Sequence, residues 1–167
     1  MNLIKYGGMI ILNILFLLFL TVSIILSIQF NINCTDRLKR AADSNTIDLA
    51  KEEINAAVSY LKENNLTSGY TSILYKSPSE DIGFWYKNLT SSLSELENIK
   101  PKSSQLEKSN ILLKLRETLL DESKSGHSVT KPSGIQKYPN NTIFALWGWI
   151  SFLFGPIFTA GYCCYKF

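Results

Sequence analysis

Residues 6–35 and 138–165 contain no charged side chain, and every acidic residue of the chain lies between these two runs. Crossing a bilayer takes about 20 consecutive apolar residues, and both runs are long enough. A soluble fold would have to bury both of them. What remains between them is about 105 residues, the size of one small domain, which is too little to enclose two such helices.

The first run holds the uninterrupted stretch MIILNILFLLFLTVSIILSI, residues 9–28. A cleaved signal has an apolar stretch of roughly 7 to 15 residues and a small-x-small site, and neither feature is present, so the run reads as an uncleaved anchor. The second run carries Trp147 and Trp149 near its start and Tyr162 and Tyr165 near its end. Such rings prefer the headgroup level at the two edges of a span. The expectation is an all-α protein in which transmembrane helices at 6–32 and 142–165 form a hairpin around a small extramembrane domain.

The middle must be read apart from the ends. It holds all 14 acidic residues and all but Lys5 and Lys166 of the 17 basic ones, so it is close to neutral. Nucleic-acid binding wants a clustered basic excess on one face, and that is lacking. The three cysteines, Cys34, Cys163 and Cys164, do not make a disulfide scaffold. If both runs span, Cys34 lies on the domain side and the other two on the opposite surface, where acylation of the vicinal pair is one reading and an inert apolar ending the other.

Three helices are expected in the domain, residues 36–123. The first, at 36–64, shows Ile47, Ala50, Ile54, Ala57 and Leu61 at steps of three and four, a single apolar face. Asn31, Asn33 and Thr35 are poor helix residues and could interrupt its continuation from the span. The second, at 78–99, is announced by Ser77-Pro78-Ser79-Glu80, with a cap hydroxyl, a proline at the first position and a glutamate three residues after the cap. It presents Ile82, Trp85, Tyr86, Leu89, Leu93 and Leu96, and Pro101 closes it. The third, at 104–123, starts on Ser104 and Glu107 and carries a broad leucine face. Residues 124–141, rich in Gly, Pro, Ser and Asn, read as an extended linker that returns the chain to the membrane.

Chemistry is sparse. His127 is alone, no His/Cys spacing suits a metal, and no serine has a base and an orienting group beside it. Neither an enzyme nor a cofactor is expected. Arg37, Lys39 and Arg40 follow the first span where anionic headgroups would lie, each able to contribute about 1 kcal/mol, although an ordinary topology-setting flank diluted by Asp36 and Asp43 explains them as well. Tyr70, Tyr75, Phe84, Trp85 and Tyr86 could line a ligand pocket or cap a core. Within the spans, Ser23 and Ser27, and Ser151 and Gly155, have the four-residue spacing of close helix contacts, and Asn13 could add an interhelical hydrogen bond.

The basic flank favours a cytoplasmic middle, and an outward one is the alternative. The resulting expectation is a non-enzymatic, two-span integral membrane protein, in contact with the lipid bilayer, whose domain mediates protein–protein interaction, self-association or membrane scaffolding. The competing expectation is a ligand-sensing module with the domain outside.

Overall fold

The computed structural model describes residues 2–100, 103–123 and 126–157. Pro101, and Tyr162, Cys163, Cys164, Tyr165 and Lys166 near the end of the chain, lie outside these residues. The fold is mostly helical, as expected.

Helix α1, Asn2–Phe30, continues through a π-helical turn, Asn31–Thr35, into α2, Asp36–Ala42. The polar residues at 31, 33 and 35 therefore widen the helix by one turn without ending it. The side chain of Asn33 helps by donating to the Gln29 carbonyl at 2.8 Å. Of this rod, Gly7–Ala42 is long and apolar enough to cross a membrane. Asn141–Ile157 is apolar but shorter among the described residues, and the expected second span at 142–165 extends past them.

The helix expected over 36–64 is two helices. After α2 the chain breaks at Asp43–Thr46, and α3 runs from Ile47 to Glu63. The break is local chemistry: the Ser44 hydroxyl donates back to the Arg40 carbonyl at 2.7 Å, and the Thr46 hydroxyl accepts from the Leu49 amide at 3.4 Å as the new N-cap. α3 ends as its two asparagines suggest. Asn65 takes a left-handed φ of 57°, the Leu66 amide reaches back to the Leu61 carbonyl at 2.8 Å, and the Asn65 amide reaches Lys62 at 3.1 Å.

The second expected helix also starts later. Ser77 leads only a 3-10 turn, Pro78–Glu80, and α4 runs from Ile82 to Glu97 with Asp81 as its cap, accepting from the Phe84 amide at 3.0 Å. The backbone pairing of Tyr70 with Asp81 decides this, because it holds Asp81 extended. Residues 71–80 thus form a loop closed at its base, where the Thr71 amide donates to the Glu80 carbonyl at 3.1 Å and the Ile82 amide to Gly69 at 2.9 Å. Gly69, at φ 105°, lies against the Tyr138 ring so closely that a Cβ would collide with it.

α5, Gln105–Leu119, starts on Ser104, whose hydroxyl accepts from the Glu107 amide at 3.2 Å as expected. It stops at Leu119. Residues expected to complete this helix and begin an extended linker instead form a hairpin of β1, Leu120–Ser123, and β2, Gly126–Val129. An extended backbone at Leu120 lets Leu119 and Leu120 both reach the core, which successive helical positions would do less well. Further on, Ile135 is fully buried in a 3-10 turn, Ile135–Lys137, so the return segment is packed against the domain.

The core joins Phe30, Cys34, Leu38 and Ala41 of the first rod to Ala50, Ile54, Ala57 and Leu61 of α3. Ile82, Trp85, Leu89 and Leu96 of α4 and Leu115 and Leu119 of α5 close it. The final helix, α6, Asn141–Phe152, leaves this core and runs antiparallel along α1. Phe19 meets Phe144 and Trp147, Phe16 meets Phe152, and Gly155 in the π-helical extension lies against the backbone of Leu12.

Candidate functional site

The most densely bonded polar region lies where the apolar rod enters the domain. Glu53 sits on the buried face of α3, with its side chain only 7 % exposed. A carboxylate there needs compensation. Arg37 and Arg40, one turn apart on α2, supply it, their guanidinium groups 3.0 Å and 2.6 Å from the two carboxylate oxygens. Both arginines remain partly in water, so screening limits the net stabilisation; their clearer effect is to set how α2 lies on α3.

A second tie comes from the return segment. The Lys131 ammonium donates to the Thr35 hydroxyl at 2.8 Å and to the Asn31 side-chain carbonyl at 3.3 Å, and sits 5.3 Å from the centre of the Phe30 ring. Beside it the Trp85 indole donates to the Thr130 carbonyl at 2.7 Å. The π-helical turn, α4 and the return segment are thereby fastened at one place. Burial lowers the Lys131 ammonium below its usual range, partly countered by the thiol of Cys34 and by Asp36.

Cys34 is fully enclosed in this junction, and burial pushes its thiol up to about 12, with Lys131 pulling the other way. A thiol held protonated is a poor nucleophile. Tyr60, whose ring meets Phe30 edge-on at 6.1 Å, is raised as well, first by burial and then by Cys34. The junction is built to hold helices, and it presents no activated group.

Of the basic flank, Arg37 and Arg40 are engaged with Glu53, and Lys39 is exposed. The five aromatic residues are not brought together as one pocket. Trp85 and Tyr86 face the core, Tyr75 and Phe84 are exposed, and Tyr70 lies half-buried with the Lys76 ammonium 5.4 Å from its ring centre. The neighbouring Asp81 carboxylate raises the Tyr70 phenol, by charge and by hydrogen bonding.

Among the apolar-helix residues, Ser151 is buried and donates to its own helix at Trp147, and Asn13 donates to Met9. The hydroxyl of Ser23 is buried without a hydrogen bond, and Ser27 is half-buried. The close helix approach is made at Gly155, where a Cβ would lie 3.3 Å from the Leu12 carbonyl oxygen, and at Gly148, where it would come within 2.7 Å of the Phe19 ring. Gly148, between two tryptophans, was the small residue in the sequence most open to this reading and was not among those singled out. By spacing alone Glu53 falls off the apolar stripe of α3 and Lys131 reads as a basic flank of the second span; the structure instead buries Glu53 and ties Lys131 to the π-helical turn.

His127 is exposed on β2, and among the described residues no three His, Cys, Asp or Glu side chains are grouped to hold a metal. The fold and junction define a class: a mostly helical protein with one N-terminal helix able to cross a membrane. No family model, no curated protein and no solved structure matches the chain.

Proposed function

We propose that the chain is a non-enzymatic membrane protein with two spans, α6 and its continuation crossing beside α1, and that the helical domain organises a protein partner or a second copy at the membrane surface. The antiparallel aromatic packing of α6 on α1 supports the hairpin. Charge supports one level for the membrane. Lys137 lies over Phe19 and Phe144, 5.5 Å and 5.8 Å from their ring centres, and the apolar helix begins at Asn141. A lysine there belongs at the headgroup layer. From Phe19 back to Asn2, α1 covers about 27 Å, close to the roughly 30 Å of hydrocarbon.

That level is lower than the span expected over 6–32 and leaves Ile24, Ile28 and Ile32, each more than half exposed and spaced four apart, above the hydrocarbon on one face of the rod. This stripe is the observation that carries the interaction reading, since large apolar side chains in water mark contact surfaces. A photo-crosslinking residue at Ile28 is expected to yield a protein adduct or a dimer in native membranes. Only monomer after irradiation would count decisively against the proposal.

The orientation favoured by Arg37, Lys39 and Arg40 is cytoplasmic. With Cys163 and Cys164 changed to serine, Ser91→Cys should resist an impermeant maleimide in intact cells and react once they are opened. Labelling in intact cells would reverse the orientation and bring back the ligand-sensing alternative.

A further inference from the structure

Between the 71–80 loop and the α1/α6 pair lies an open cleft of about 930 Å³. Along α6 its lining changes from polar at Asn141 to aromatic at Trp149 and Phe152, about 16 Å further along the helix. The polar lining is incompletely bonded. The hydroxyls of Thr71 and Ser72 and the side-chain oxygen of Asn141 are buried and have no hydrogen-bond partner among the described residues, and Thr71 as a whole is 4 % exposed. Buried polar atoms are ordinarily satisfied, so unpaired ones on both sides of the cleft mark its polar end as incompletely satisfied within the fold. Lys137 on the same lining lies over the Phe19 and Phe144 rings, and among the described residues no carboxylate is within ion-pair distance of it. Glu80 is the acidic member of the lining.

The loop tip adds an independent observation. Ile73 is 49 %, Leu74 85 % and Tyr75 84 % exposed, and these residues line the cleft together with Phe16 and Phe19 of the apolar rod. Apolar side chains and a tyrosine held there suit the boundary between headgroups and acyl chains.

We propose that the cleft binds a phospholipid with an ethanolamine headgroup, an inference that rests on the membrane reading above. The phosphate lies at Lys137; the headgroup ammonium donates to the Glu80 carboxylate; one acyl chain follows Trp149 and Phe152. One lysine and one carboxylate match a zwitterion, and acceptors for the ammonium favour ethanolamine over choline, which has no N–H to donate.

The test uses the full chain, delipidated in detergent, mixed with dioleoyl phosphatidylethanolamine, dioleoyl phosphatidylcholine, dioleoyl phosphatidylglycerol or dioleoylglycerol, and reads lipid retained per chain by native mass spectrometry. Phosphatidylethanolamine is expected to exceed each of the others by about fivefold or more. Lys137→Ala and the cleft-filling Ala145→Phe should each lower its retention by a similar factor, while Lys62→Ala on α3 leaves it unchanged. Using both variants guards against one that misfolds, since a thermal melt identifies it. Equal retention of dioleoylglycerol, or wild-type retention in both folded variants, overturns the proposal. Alkaline carbonate extraction separates the two ideas. A chain released by carbonate that still shows Lys137-dependent retention refutes the spans and supports the cleft; a chain that stays with the membrane and retains no lipid overturns the cleft alone.

Discussion

The return segment meets the apolar rod at two places that use a lysine in opposite ways. At the junction, Lys131 is paired with Thr35 and Asn31 and covered by Phe30, while Cys34 and Leu38 beside it are fully buried. At the cleft, Lys137 lies over two ring faces, three polar atoms of the lining are unpaired among the described residues, and Leu74 stands in the open. A region whose polar groups are satisfied internally contributes to the stability of the fold. One whose polar groups wait for partners gains its stability from what binds there. Substitutions should therefore separate into those that unfold the domain and those that change occupancy.

The largest contrast is expected between two leucines. Leu38→Ala opens a cavity among α2, α3 and the π-helical turn and should lower unfolding free energy by about 3–4 kcal/mol, measured by denaturant titration in detergent. Leu74→Ala, at an exposed loop tip, should stay within about 0.5 kcal/mol under the same conditions. A large loss at Leu74 would show that the loop tip is packed in the folded protein, and the contrast would fail.

Next in size is the Glu53 tie. Changing Arg37 and Arg40 together to alanine leaves a buried carboxylate without its partners and should cost about 2–3 kcal/mol, the lower part of the usual range because both arginines are partly hydrated. Glu53→Leu removes the buried charge itself and frees two arginines that water can solvate, so its cost should be smaller, about 1 kcal/mol or less. The reverse order in thermal melts would mean that the arginines hold something besides Glu53.

The two regions also differ in how far they could be read in advance. The α3 stripe of Ala50, Ile54, Ala57 and Leu61 is buried as its spacing implies, and Ser104 caps α5, because both signals act within a few residues. Ser77 misleads since Asp81 is an equally able cap, and the choice is made by Tyr70, which pairs with Asp81 from the far side of the loop. The Asp43–Thr46 break is written in four residues that favour caps and turns and in a shift of apolar phase, since Leu38, Ala41 and Ala42 would fall on the opposite side of a continuous helix from Ala50, Ile54 and Leu61. The junction was illegible for another reason. Arg37 and Glu53 are 16 residues apart, and Lys131 is 96 and 100 from Thr35 and Asn31, so no local spacing announces their meeting. The same holds for Thr71 and Asn141 at the cleft. Reading the aromatic residues 70–86 as one group failed to separate them because α4 turns Trp85 inward and Phe84 outward, as adjacent helical positions must.

Alkaline pH tests the junction's dryness. Cys34 has an ordinary value of 9.0 and is pushed up to about 12 in the folded protein. Above pH 9.0 the unfolded chain loses this proton first, so the folded state holds more protons there. The contribution is therefore complete below pH 9.0 and is lost as pH rises toward about 12, the loss amounting to about 3 kcal/mol by pH 11. Other groups titrate in the same window, so the quantity to follow is the difference between wild type and Cys34→Ala. The two stability curves should converge as pH is raised from 8 to 11. Parallel curves would mean that water reaches the thiol.

The smallest effect bears most directly on the difference between the two lysines. Lys131→Met keeps a stem of similar length over Phe30 but leaves Thr35 and Asn31 without their donor, and should cost about 1 kcal/mol. The same change at Lys137 deletes a charge that pairs with no carboxylate among the described residues, so in lipid-free detergent its effect should fall within about 0.5 kcal/mol of zero. Adding phosphatidylethanolamine should then stabilise the wild type and the Lys131→Met protein alike while leaving Lys137→Met unmoved, because a ligand stabilises only through the state that binds it. Thermal shifts with and without lipid, compared across the three proteins, would assign one lysine to the fold and the other to its ligand. Equal lipid shifts in all three would erase the distinction.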